Sequence, residues 1–224
     1  MDGASIIWDL GGTLLDTYPD VDRALARAAF GGEPTAGPAA SARAPEPAQI
    51  AEVARLTRVS SARAIDELSA RHGVPRRALQ EAYDQVKEQW RAHPAPAMPG
   101  AHEVMDAVRE AGGANLVATH RDAASARMLL EAPGLRVEDL VCAPDGFARK
   151  PDPEMLCALM ERHALDPSRV LAVGDRPVDV EAARAAGIRG VLLETPGIHL
   201  PAGEAPRISR LAELLPMLPP VSRG

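Results

Sequence analysis

The chain has 224 residues, 46% of them hydrophobic and 25% charged, with a net charge of −6. That length supports one good core, or a core with a small second domain. The acidic balance and the scatter of the basic residues exclude nucleic acid and anionic membranes as generic partners, and no window reaches the length of a membrane span.

Met1-Asp2-Gly3 leads almost directly into an apolar run, without a basic-then-apolar leader, so a cytoplasmic location is expected. Residues 5–9 read as a buried strand ended by glycines. Residues 20–30 read as a helix, with Val21 and Leu25 on one side. The Pro/Gly/Ala-rich stretch near 31–48 has no periodicity and is expected to be a flexible loop. Three more helices are expected over 48–58, 60–72 and 76–92, with Gly73 ending one and Pro75 starting the next. Leu79, Tyr83, Val86 and Trp90 recur at helical spacing and read as packing residues.

The linker 93–100 (HPAPAMPG) changes the rhythm. Helices at 101–111, 122–132, 153–163 and 177–186 then alternate with strands at 115–119, 139–142, 169–173 and 189–193, and a last helix is expected near 209–218. Such alternation predicts an α/β fold: a Rossmann-like parallel sheet with helices on both faces. Residues 1–17 and 94–224 form this core, and 18–93 form an inserted all-α domain. Cys142 and Cys157 fit neither a disulfide framework nor a zinc motif, and two buried, reduced thiols are expected.

Ligands of open α/β sheets bind beyond the carboxyl ends of the strands. Asp9, Gly11, Gly12 and Thr13 follow the first strand, and Thr119-His120-Arg121 stand at the end of the second. Lys150 lies in the loop after the third, and Gly174-Asp175-Arg176-Pro177-Val178-Asp179 follows the fourth. A nucleophile, a hydroxyl, a cation and paired carboxylates therefore gather at one edge. Lys87 and Lys150 are the only lysines in the chain, which weighs against Lys150 as a plain surface residue.

On these residues the sequence resembles the haloacid dehalogenase-like hydrolase superfamily, in the branch with phosphoglycolate phosphatase and β-phosphoglucomutase. Asp9 to Asp16 matches the motif hydrophobic-D-x-D-G-T-L-x-D except at Gly11. Thr119, Lys150 before Pro151-Asp152-Pro153, and Gly174-Asp175-x-x-x-Asp179 match the other three motifs. The inserted helices stand where the family carries its helical cap.

The resemblance implies a magnesium-dependent hydrolase of a small phosphorylated metabolite. Asp9 would be the nucleophile, forming an aspartyl-phosphate. Thr119 and Lys150 would complete the catalytic set by binding phosphate and stabilising charge. Asp9, Asp175 and the backbone carbonyl of Gly11 would hold Mg2+, with Asp179 acting through water or by orienting Lys150. Gly12, Thr13, His120 and Arg121 are the expected substrate-binding residues. Tyr18 and Arg23 are further candidates in the cap, and the Pro-containing junctions at 16–19 and 93–99 are expected to let the cap close.

Gly11 stands where the family's phosphatases carry their general acid/base. Three readings follow. The protein is a phosphatase that manages without that carboxylate, helped by a good leaving group, a cap residue or His120. It is a catalytically weakened or inactive phosphate- and metal-binding protein. Or it is a phosphonatase-like C–P hydrolase, for which Lys87 is the only cap lysine.

Overall fold

Six parallel strands form one sheet in the computed structural model, which describes residues 3–31 and 44–218. They are β1 (Ser5–Trp8), β2 (Asn115–Thr119), β3 (Asp139–Cys142), β4 (Val170–Gly174), β5 (Arg189–Leu193) and β6 (Arg207–Ile208). Their order across the sheet is β3-β2-β1-β4-β5-β6. Trp8 pairs with Val117 on one side and Val173 on the other. The chain lays β2 and β3 on one flank of β1, then crosses over to lay β4, β5 and β6 on the other. Strand order therefore reverses beside β1, and the ends of β1 and β4 flank the switch point where such sheets take ligands.

The inner strands are apolar because both faces are covered. All four residues of β1 and all five of β2 are buried. On one face Ile7, Leu116, Ala118 and Val141 pack with Met155, Leu156 and Leu159 of α7 (Glu154–Arg162) and with Ala182 and Ala183 of α8 (Pro177–Ala185). On the other face the buried indole of Trp8 donates to Asn115 Oδ1 (3.0 Å), and Asn115 Nδ2 donates to the Met105 carbonyl of α5 (Ala101–Glu110; 2.9 Å). This pairing lets two polar side chains sit in the core without an unmet hydrogen bond.

Two features at the C-terminal end differ from expectation. The segment near 209–218 is a 3-10 helix, Leu211–Met217, with Pro216 inside it. Proline supplies no backbone donor there, which suits a short 3-10 run better than an α-helix. Strand β6 has only two residues, too few to give a period in the sequence.

The chain divides into two compact units, Met1–Asp16 with Ala95–Gly224, and Thr17–Pro94. The second unit contains α1 (Tyr18–Phe30), α2 (Pro47–Thr57), α3 (Ser61–His72) and α4 (Arg76–Gln89). Its core is made of Val21, Leu25, Val53, Ile65, Leu68 and Leu79, with Trp90 at the end of α4. The side chain of Ser60 accepts from Arg63 N–H at the start of α3, and Gly73 ends that helix at φ +67°. Of the loop expected near 31–48, residues 32–43 lie outside the described residues, and α2 begins at Pro47.

In the first unit, the two chain segments that lead to and from the helices are bound side by side. Asp16 N–H donates to Pro96 O (2.9 Å) and Met98 N–H to Leu14 O (2.8 Å). Among the described residues no helix is long and apolar enough to cross a membrane.

Candidate active site

Asp9 is the first residue after β1, and its N–H donates to Val173 O (2.8 Å) of the neighbouring strand. That bond fixes the point at which the chain leaves the sheet. The turn that follows is closed by Leu14 and Leu15, whose N–H groups donate to Leu10 O (both 3.0 Å). Gly12 sits at φ +93°, where an L side chain is strained, while Gly11 lies outside that region. Gly12 N–H donates to Leu15 O (2.8 Å) and so helps to close the turn.

Lys150 reaches Asp9 from the loop after β3. Its Nζ lies 2.6 Å from Asp9 Oδ1 and 2.5 Å from Asp179 Oδ1, and donates to the carbonyl of Ala118 (3.0 Å). The ammonium thus donates to Asp9 and to the Ala118 carbonyl and forms an ion pair with Asp179. Burial alone would push this ammonium toward neutrality, but Asp179 and Asp9 outweigh it and its pKa is raised. The lysine is thus a fixed positive charge beside the nucleophile candidate.

Asp175 follows β4, and its Oδ1 accepts from Thr13 Oγ1 (3.1 Å). The first turn of α8 returns Asp179 toward the end of the strand, where its Oδ2 accepts from Arg176 N–H (3.1 Å). Gly174 makes room for this return. A Cβ there would lie 2.3 Å from Asp179 Cβ and 2.5 Å from Asp179 Oδ2. The carboxylate occupies the space that any side chain at 174 would take.

Thr119 ends β2 and is buried, and its Oγ1 accepts from Arg121 N–H (3.2 Å). That bond orients the oxygen and leaves the hydroxyl proton to donate elsewhere. His120, an expected substrate-binding residue, also supports the lysine loop. Its Nε2 accepts from Lys150 N–H (2.9 Å), which places the ring proton on Nδ1. Burial first, then the charges of Lys150, Arg176 and Arg149, push its pKa down to about 4. It is a neutral acceptor that holds the Lys150 backbone. Arg121 is half-buried beside it.

In the sequence Gly174 stands only as a motif residue, and Arg176 has no assigned role. Arg176 is half-buried, and its charge acts on both His120 and Lys150. Its signal was its place directly after Asp175, at the start of a helix whose approach to Lys150 only the fold reveals. Lys87 lies in the other unit, where its Nζ is 2.8 Å from Asp84 Oδ1 on the exposed face of α4. Cys142 is buried, and burial pushes its thiol up to about 11, whereas Cys157 is exposed rather than buried as expected.

The buried charged side chains of the site are three acids and one base, with the half-buried Arg176 beside them. Asp9, Asp175 and Asp179 are each no more than 4% exposed, with Lys150 as the buried cation among them. Burying carboxylates without compensation is costly, so the set suits a further cation. Among the described residues no three His, Cys, Asp or Glu side chains group as a metal site. An ion here would rely on two carboxylates, a backbone carbonyl, water and phosphate. That all-oxygen, partly hydrated set fits magnesium better than zinc or a softer metal.

The site thus joins a carboxylate at the switch point of a parallel sheet, a lysine clamp and a second acidic pair. Residues 4–187 match the family model of the haloacid dehalogenase-like hydrolases, and the chain belongs to that family. It is 32% identical over 199 residues to a phosphoglycolate phosphatase of Mesorhizobium japonicum, covering 84% of this chain and 82% of the relative. It is 30% identical over 201 residues to an N-acetylmuramic acid 6-phosphate phosphatase of Pseudomonas aeruginosa, covering 87% and 83%. The solved structure of a hydrolase from Streptococcus pneumoniae shares the fold, with a TM-score of 0.62 and 24% identity over 97% of this chain and 98% of that one.

Proposed function

We propose that this protein is a magnesium-dependent phosphatase of a small phosphorylated metabolite, acting through an aspartyl-phosphate on Asp9. The observation that carries this reading is the clamp on Asp9. One carboxylate oxygen is held 2.6 Å from Lys150 Nζ at the end of β1, which leaves the other to attack phosphorus. Asp9 Oδ would form a bond to phosphorus as the phosphorus–oxygen bond to the leaving group breaks. The Thr119 hydroxyl would donate to a phosphate oxygen, and Lys150 would stabilise charge building on the phosphoryl group. Asp179 is a positioning residue that holds Lys150.

Asp9, Asp175 and the Gly11 carbonyl would hold Mg2+. When bound, the ion would offset the repulsion between the carboxylates and the phosphate dianion. Relatives named for phosphoglycolate and for N-acetylmuramic acid 6-phosphate support a small phosphorylated substrate. The cytoplasm, where such metabolites are turned over, is the proposed location. The helical unit, Thr17–Pro94, is proposed to act as the cap over that substrate.

The test is turnover of p-nitrophenyl phosphate and acetyl phosphate with magnesium, beside Asp9→Asn. Turnover should fall by more than about 10⁴-fold in the variant, as when a nucleophile is removed. Equal turnover in both proteins would overturn the reading. Gly11 favours one competing reading, a phosphate- and metal-binding protein. No turnover across a wide ester panel, with beryllofluoride still bound, would support it.

A further inference from the structure

We infer that the site acts on phosphoryl donors whose leaving oxygen departs as a stable anion, namely acyl phosphates and aryl or enol phosphates, rather than alkyl phosphate esters. This deepens the phosphatase reading above and rests on it. The reason is the distribution of protons around Asp9.

An alkyl ester releases an alkoxide, which is about as basic as hydroxide, the conjugate base of water with pKa about 15.7. Its departure calls for an acid that gives a proton as the bond breaks, an effect worth about 10²–10⁴-fold. The groups of this unit described around Asp9 are held in other contacts or, like the Thr119 hydroxyl, are too weakly acidic to protonate a leaving alkoxide. Lys150 Nζ donates to Asp9 and to Ala118 O and is held by the charge of Asp179. His120 Nε2 is turned to Lys150 N–H, and its only ring proton is on Nδ1 of a neutral imidazole, which is a very weak acid. Asp179 is tied to Lys150 and to the N–H of Arg176. Asp175 accepts from Thr13. Arg176 is a guanidinium and does not titrate.

Gly11 adds nothing to this set, and the backbone does not require its bare Cα. The turn needs glycine at Gly12, with φ +93°, whereas Gly11 lies outside the left-handed region. A side chain is thus absent at the half-buried position two residues beyond Asp9, where the φ angle alone would accept one.

A carboxylate or phenolate leaving group needs no such acid, because its conjugate acid has a pKa of only about 4 or about 10. In the first step Asp9 Oδ bonds to phosphorus, the phosphorus–oxygen bond breaks, and its electron pair leaves on the carboxylate or phenolate oxygen. In the second step water bonds to the phosphorus of the aspartyl-phosphate and the bond to Asp9 breaks. That electron pair returns to the Asp9 carboxylate, and the protons of water pass to phosphate and solvent. Asp9 is itself a carboxylate leaving group, so this step also proceeds without an acid. The attacking water has no base to activate it, so the phosphorylated protein accumulates.

The experiment compares kcat/KM with magnesium for acetyl phosphate, p-nitrophenyl phosphate, phenyl phosphate and ethyl phosphate, in the native chain and in Gly11→Asp. A rapid-quench assay follows hydroxylamine-labile phosphate on the protein. The native chain should lose at least about 10²-fold in kcat/KM from acetyl to ethyl phosphate. It should also show a burst of labelled protein. In Gly11→Asp the ratio of ethyl to acetyl phosphate turnover should rise by at least tenfold. Equal kcat/KM for acetyl and ethyl phosphate in the native chain would overturn this inference and leave the phosphatase reading standing. No turnover of any donor, with no label on Asp9, would overturn both. The native series decides the matter even where Gly11→Asp fails to fold.

Discussion

Each unit of this protein buries an ion pair, and the two pairs are balanced differently. In the helical unit, Arg58 Nη1 donates to both oxygens of Asp22 (3.2 and 2.9 Å), and Thr57 Oγ1 donates to Asp22 Oδ1 (2.7 Å). The Arg58 guanidinium also lies 3.6 Å from the centroid of the Tyr18 ring. Burial pushes the Asp22 carboxyl up, even against Arg58 and Thr57. One acid there meets one base. In the sheet unit, Lys150 pairs with two buried acids, Asp9 and Asp179, and a third, Asp175, is buried in the same site. The first arrangement is complete without a ligand, and the second has negative charge to spare. Charge balance, rather than burial, separates the structural cluster from the candidate active site.

The largest effect should come from breaking the balanced pair. Arg58→Met leaves Asp22 buried without its partner and should cost about 3–5 kcal/mol in urea unfolding. Adding Asp22→Leu to that variant should recover most of the loss. A double variant no more stable than Arg58→Met would show that the pair is not self-contained. A somewhat smaller effect should come from completing the unbalanced set. Magnesium at about 100 times its Kd should add about 2.7 kcal/mol to the unfolding free energy. Asp175→Asn should remove most of that increment, and an increment of unchanged size would place the ion elsewhere.

The smallest effect concerns His120. Its pKa is about 4 in the folded protein, against 6.5 ordinarily. The unfolded chain therefore binds the proton first as pH falls. The stability involved is whole above about pH 6.5 and is lost as pH drops toward about 4. His120→Gln should make stability flatter across that window, by a modest amount because the ring is half-buried. An unchanged slope in thermal unfolding would show that His120 has no part in it.

Much of the site was legible because it lies at strand ends. Ile6, Ile7 and Trp8 mark β1 as an apolar run, and the residue after such a run in a parallel sheet sits at the ligand edge. The same reasoning located Thr119 and Asp175, and scarcity drew attention to Lys150. What stayed hidden depends on distance through space. Arg58 and Asp22 are 36 residues apart, and nothing in either neighbourhood marks the pairing. Gly174 read as part of a motif, but its close approach to Asp179 is a matter of packing. The hydrogen bonds of His120 to Lys150 and of Gly12 to Leu15 likewise have no sequence signature.

The paired segments at residues 14–16 and 96–98 carry a consequence for the length of the insert. Their hydrogen bonds run from backbone to backbone, from Asp16 to Pro96 and from Met98 to Leu14, so they are indifferent to side chains. The sheet unit closes the seam at which the helices are inserted. The entropic cost of a longer insert at a closed seam grows only as the logarithm of its length. A seam held in this way can therefore carry inserts of different length at modest entropic cost.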